Sequence, residues 1–299
     1  MTMARVCQNP RVNLKGQPVR VGDLVHQAER AISPEVIAFY SDTFADRNPV
    51  YARDGVAPPL LYHSEVYAHV ERWYLRKLVG NLHARQEWLL FAPLRAGSTV
   101  LTRSTVSERY RKRDRDFVVN EVDYCDASGR LLVRSRTHQS FLADLPASEG
   151  GYVVDRESAG KKERRAVGEG PGPELEPVEL EVDLATCWRF SGPARTYHTD
   201  RDEAVKFGFP EVVVQGMLST CLVSQVMGNA HGSGWLAGGR MDVKLVNVLW
   251  GGERVRARAK LRGESAEGAY TRREYEVWVE KDDAKRTVVT VGTASALLG

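Results

Sequence analysis

Two loops of the 299-residue chain carry residue types that can move protons. The first, SGPARTYHTD over 191–200, holds Tyr197, His198 and Asp200. An imidazole titrates near working pH, so His198 can both accept and deliver a proton. The plainer reading is a loop histidine that caps the next helix. Further on, the apolar run VVV is followed by Gln215 and Gly216, where a helix opens. A glycine there lets a substrate approach the backbone, and a helix N-terminus favours negative charge. Together, His198 and Gly216 suit acid–base chemistry at a carbonyl whose oxygen gains charge. Alone, Gly216 is equally a turn glycine. Asp200 precedes RDEA, so it reads as the N-cap of a short helix or as a catalytic carboxylate. Arg195 can clamp a substrate carboxylate or form a surface ion pair.

The second loop, ADRNPVYARDG over 45–55, offers Asp46, Asn48 and Tyr51. Asp and Asn are good turn formers, which makes this loop a shape-giving segment. The sharper reading is a second, unconventional site built on Asp46 and Tyr51.

The elements that must position these loops occur twice in the same order. On the N-terminal side, Ser33-Pro34 starts a helix bearing Val36, Ile37, Phe39, Tyr40 and Phe44. After the loop, 58–78 reads as a long helix with Leu61, Val66, Val70, Tyr74 and Leu78 on it. Its aromatics Tyr62, Tyr67, Trp73 and Tyr74 suit either a bulky pocket or the core. After His83 the pattern turns to strands: QEWLLFAPL, TVLTRSTVSERY, DFVVNEVDYCD and RLLVRSRTHQSFL. On the C-terminal side, VELEVDLATCWRF leads into the His198 loop, a short helix near 201–207 and the apolar helix GMLSTCLVSQVM. The strands RMDVKLVNVLW, ERVRARAKLRG, YTRREYEVWVE and TVVTVGTASALL follow. Periodicity thus predicts a duplicated α+β fold, each half an antiparallel meander and a helix. The polar, Gly- and Pro-rich stretch 155–177 cannot offset its own ordering entropy and reads as a linker. That sets an N-terminal domain at 1–154 and a C-terminal domain at 178–299.

Composition narrows the classes. With 42% hydrophobic and 27% charged residues the chain is ordinary globular protein. A formal charge of +3 does not suggest a nucleic-acid binder. The start shows no apolar signal region, and no run of about eighteen apolar residues suggests a membrane span. Cys7, Cys125, Cys187 and Cys221 form no C-x-x-C pair, so structural zinc is not expected. Apolar neighbours surround Cys187 and Cys221, so buried free thiols in a reducing cytoplasm fit best. The run RYRKRDR over 109–115 reads as a solvated hairpin tip, and Lys244 and Arg254 as surface charge. All three are alternative phosphate contacts. His63, His69 and His138 read as core-edge or surface histidines.

The ordered motifs resemble those of the MaoC-like family of (R)-specific enoyl-CoA hydratases and dehydratases. Its loop G-D-x-N-P-x-H is matched in part by Asp46, Asn48 and Pro49, with Tyr51 at the His position. The C-terminal half matches with Gly192 and His198, but Pro193 stands at the Asp position and Arg195 at the Asn position. ARQEWLLFAPLRAGSTV and the segment from Thr199 to Gly216 are also similar to family segments. The resemblance implies a tandem hotdog fold and a cofactor-free, metal-free lyase acting on a coenzyme A or carrier-protein thioester. His198 would then be base and acid, and the Gly216 N–H would polarise the thioester carbonyl. Asp200 and Tyr197 join the catalytic candidates; Arg195, Asp46, Asn48 and Tyr51 are the substrate-binding ones. Further expectations are a pseudo-dimer that dimerises again, a cytoplasmic location, and no nucleic-acid or membrane partner. A thioesterase using Glu65, or a non-catalytic thioester-binding hotdog, remains the alternative.

Overall fold

A computed structural model describes residues 19–67, 81–112, 115–142, 154–155 and 167–299. Strand β1 (Leu24–Ala31) leads to α1 (Pro34–Phe44). Ser33 caps α1 by accepting the Val36 N–H at 3.4 Å, and Pro34 takes the first turn, as its sequence predicts. A short α2 (Val50–Asp54) follows in the Asp46 loop. The long helix expected over 58–78 does not start at 58. Residues up to His63 are turns, and His63–Val66 is a single 3-10 turn. Pro58-Pro59 explains this: proline lacks an N–H and pushes its predecessor out of the α region. The rest of that expected helix, with His69, lies outside the described residues.

Strands β2 (Leu82–Leu90), β3 (Thr99–Lys112), β4 (Arg115–Cys125) and β5 (Leu131–Leu142) complete the first half. A two-residue β6 (Val154–Asp155) runs parallel to β3. The second half repeats the order: β7 (Val178–Glu181), α3 (Leu184–Ser191), α4 (Arg201–Lys206), α5 (Met217–His231) and α6 (Ser233–Leu236). Then come β8 (Arg240–Leu245), β9 (Arg254–Glu267), β10 (Tyr270–Lys281) and β11 (Val288–Leu298). The sheet runs β1-β3-β4-β5-β2-β8-β11-β10-β9-β7. Each half thus contributes the same five-strand order, and the two meet edge to edge at β2 and β8. This is the tandem hotdog, an α+β fold. The seam pairs Arg85 with Lys244 through Leu89 with Arg240. Across it Arg85 donates to both Asp242 carboxylate oxygens, at 2.7 and 2.6 Å.

Helix α5 is the element inside the wrap. Residues Met217 to Gly228 are all buried, as a helix without a polar face must be. It packs on β7, β9, β10 and β11. Part of the expected linker also packs: Gly172 and Leu175 donate their N–H groups to Leu261 O and Ala259 O on β9. Arg109 corrects the hairpin-tip reading. It lies within β3, 1% exposed, and donates to Val19 O at 2.6 Å. His63 is a core residue rather than an edge one, stacked on Phe190 at 4.2 Å. No described helix is long and apolar enough to cross a membrane. Among the described residues, no cluster of three His, Cys, Asp or Glu is placed to hold a metal ion.

Candidate active site

The His198 loop is fixed by its own side chains. Thr199 Oγ1 donates to Ala194 O at 2.7 Å and accepts from Thr196 N at 2.9 Å. The loop then zips onto the segment that leads into α5: Val213 N donates to Tyr197 O at 3.0 Å. In return His198 Nδ1 contacts Val213 O at 2.6 Å. A carbonyl oxygen only accepts, so Nδ1 carries the proton and Nε2 keeps its lone pair. Burial lowers the His198 pKa below the ordinary imidazole value, although the Val213 bond opposes this. The ring is therefore neutral at pH 7 with a free base on Nε2.

His198 faces a cavity of about 630 Å³ that also takes in Tyr197, Gly216, Ser219, Leu245 and Thr290 from the C-terminal half. Gly216 sits directly before α5 with ordinary helical φ of −59°. Its need for glycine is one of space. A Cβ there would overlap Leu245 Cδ2, lie 3.3 Å from Leu245 Cγ, and lie 3.8 Å from His83 Nδ1. Leu218 and Ser219 give their N–H groups to Gln215 O and Gly216 O. Among the described residues the Gly216 N–H has no backbone acceptor, and Gly216 lines the cavity whereas Met217 does not. The dipole at this helix end favours an oxyanion.

The first half supplies the opposite wall, with Tyr67, Asn81, His83 and Gln139. His83 lies inside β2, one residue from its start, instead of ahead of the strand. Its Nδ1 is 2.9 Å from Tyr67 Oη and its Nε2 is 3.1 Å from Gln86 Oε1. Burial pulls the His83 pKa down to about 4. His83 is half-buried at the border of the cavity, and its ring is neutral at pH 7. Gln139, its cross-strand partner on β5, is 2% exposed with Oε1 unpartnered. Thr290, the partner of Leu245 on β11, is fully buried with Oγ1 unpartnered. Both residues line the cavity, so they are candidate polar contacts for what enters it.

The remaining candidates lie elsewhere. Asp200 caps α4 by accepting the Glu203 N–H at 3.0 Å, and Arg195 pairs with it at 2.8 Å. Neither lines the cavity, so the cap and surface ion-pair readings describe them. Asp46, Asn48 and Tyr51 sit at the other end of α5, where an added Cβ on Gly228 would lie 3.7 Å from Asn48 Nδ2. Twelve helical residues put that end about 18 Å from Gly216. Tyr51 Oη donates to Asp46 Oδ2 at 2.8 Å and Asn48 N to Asp46 Oδ1 at 3.1 Å, while the buried Asn48 Nδ2 has no partner and Asn48 borders a separate cavity with Arg47, Arg53 and Gln225. Glu65, the expected thioesterase carboxylate, is 4% exposed. It accepts from Arg30 Nε at 2.8 Å and Thr102 Oγ1 at 2.7 Å, and it does not line the cavity. Lys244 alternates with the inward Leu245 and lies on the outer sheet face. Tyr67 lines the cavity as one of the expected aromatics, while Tyr62 donates instead to Ala31 O. Sequence reasoning missed His83 and Gln139. No sequence signal marked them, because the cavity takes in successive residues Leu82, His83 and Ala84 rather than one alternating strand face.

No family model and no curated protein matches the sequence. Solved structures do match in fold. A MaoC-like dehydratase from Phytophthora capsici aligns over 91% of this chain and 93% of its own, with TM-score 0.66 and 15% identity. A Mycobacterium tuberculosis protein described as having a double hotdog fold aligns over 91% and 93%, with TM-score 0.58 and 13% identity. A Lactobacillus plantarum protein described as an oleoyl thioesterase aligns over 91% and 94%, with TM-score 0.52 and 13% identity. At such identities the similarity is one of fold, and function rests on the site.

Proposed function

We propose that the chain is a hydro-lyase acting on an acyl thioester. It adds water to a 2-enoyl thioester or removes water from an (R)-3-hydroxyacyl thioester. The observation that carries this reading is the pairing, in one cavity, of His198, a neutral base at Nε2, with Gly216 at the start of α5. The thioester carbonyl docks on the Gly216 N–H. Water attacks the β-carbon as His198 Nε2 takes its proton, and the π electrons move onto the carbonyl oxygen. The helix end stabilises the resulting enolate. His198 then returns the proton to the α-carbon, so one water is added in total and no cofactor takes part. The fold shared with MaoC-like dehydratases supports the reading.

The fold shared with a thioesterase favours the second reading. Against it, α5 carries no Asp or Glu, and Glu65 is committed to Arg30 and Thr102. Incubation with crotonyl-CoA and longer 2-enoyl-CoAs separates the two. Hydration lowers the enoyl absorbance without free thiol. Thiol release would replace the hydratase reading with the thioesterase one.

A further inference from the structure

A second cavity, of about 480 Å³, lies at the far end of α5, and among the described residues none lines both it and the His198 cavity. Gln225, Gly228 and Asn229 of α5 and its cap Gly232 form one wall, at the i, i+3, i+4 and i+7 spacing of one helix face. Asn48, from the Asp46 loop, borders the same space. Asn48 Oδ1 accepts the Val50 N–H at 3.0 Å, which fixes the amide, so Nδ2 only donates. That Nδ2 is buried without an acceptor. Gln225 is 8% exposed, and its buried Oε1 has no donor. The two stand close together: a Cβ on Gly228 would lie 3.7 Å from Asn48 Nδ2, and Gln225 is one turn away on the same face. A finished core pairs such atoms, so a donor and an acceptor left over beside one cavity call for a ligand that carries both groups.

The charges around it balance. Arg47 and Arg53 line the cavity as exposed side chains, but Asp42 holds the first at 2.8 Å and Asp54 the second at 2.7 Å. The end of α5 that borders the cavity is its C-terminus, which carries partial negative charge. Both features disfavour an anion. Among the described residues no Asp or Glu lines the cavity to hold a cation. We propose that this cavity is a second binding site, for a neutral ligand that presents a secondary amide. The ligand carbonyl accepts from Asn48 Nδ2, and the ligand N–H donates to Gln225 Oε1. The pantetheine arm of an acyl thioester contains two such amides, and a free N-alkyl amide contains one. Gly228 keeps the space open. A Cβ there would make only ordinary contacts, 3.6 Å from Trp235 Cδ1 and 3.7 Å from Asn48 Nδ2, so the packing of the protein itself does not require a glycine.

This site stands whatever reaction His198 performs. The full chain is titrated with S-methylpantetheine, N-methylacetamide and inorganic phosphate, each followed by nitrogen-15 NMR of the Asn48 and Gln225 side-chain amides. Both signals should shift saturably with an amide and stay in place with phosphate. S-methylpantetheine binding more than about tenfold tighter than N-methylacetamide would name the pantetheine arm as the source, and a smaller difference a simple amide. Asn48→Asp keeps the Val50 bond but trades the free donor for an acceptor. Loss of that one hydrogen bond predicts amide binding weaker by about tenfold, read at Gln225. Gly228→Ala fills the space beside Asn48 and should weaken binding at least as much. Its melting temperature should be no lower than that of wild type, since alanine is the better helix former. Signals that move with neither amide up to about 0.1 M, a range generous for so few atoms, would overturn the inference. So would signals that move with phosphate alone, or wild-type affinity in a folded Asn48→Asp protein.

Discussion

Gly216→Ala probes the helix end that the chemistry depends on. The added methyl overlaps Leu245 Cδ2 and reaches 3.3 Å from its Cγ and 3.8 Å from His83 Nδ1. Leu245 must leave its rotamer, which costs about 1 kcal/mol of stability. The methyl then occupies the approach between helix end and His83, where the thioester oxygen must come within about 3 Å of the N–H. Losing one preorganised oxyanion donor costs about a hundredfold to a thousandfold in kcat. The assay is steady-state hydration with a thermal melt on the same sample. Adding Leu245→Ala relieves the overlap, so it should return stability lost to crowding and leave the rate low. A double variant at the wild-type rate would assign the defect to Leu245 and refute the donor role of this backbone. So would Gly216→Ala alone within about threefold of wild type, a difference too small for a lost oxyanion donor.

Three other outcomes follow from the same geometry. His198 works as a neutral base with its pKa lowered, so the hydration rate should stay flat as pH falls to about 6.5 and drop only below that; a drop centred above the ordinary imidazole value would contradict it. His63 is buried with its pKa near 4, so stability is intact above the unfolded value and is lost as pH falls through the folded one. Over that interval, about 2.5 units, the loss is about 3 kcal/mol, and His63→Phe should remove it from the urea-unfolding profile. Tyr51→Phe leaves the buried Asp46 without its 2.8 Å donor. It should cost about 1–3 kcal/mol of stability and leave kcat unchanged, which chemical denaturation and the hydration assay together check.

Much of the fold was legible because hydrophobic period reports local structure directly. Four of the five ordered strands in each half and the α5 helix follow from it, while β1 and β7, which open the halves, do not. The capped start of α1 follows from Ser33 and Pro34. In the first half the apolar helical pattern misleads at Pro58-Pro59, two residues that a helix interior does not accept. Part of the site was legible too, since the apolar run before Gly216 places a helix end beside the His198 loop. What the sequence could not show was pairing at a distance. His83 enters the cavity only because β2 joins β8 at the seam, which brings the first half's wall to the second half's helix. Conversely, Asp46 and Tyr51 carry the right chemistry in the right kind of loop. The same pseudo-symmetry sets them at the far end of α5, where they satisfy each other.

The most direct test of the account is hydration of crotonyl-CoA by wild type and His198→Ala, read as loss of enoyl absorbance with free thiol monitored alongside. The account predicts hydration without thiol release in wild type, and its abolition in a folded His198→Ala protein. A folded His198→Ala protein that hydrates as fast as wild type would contradict it.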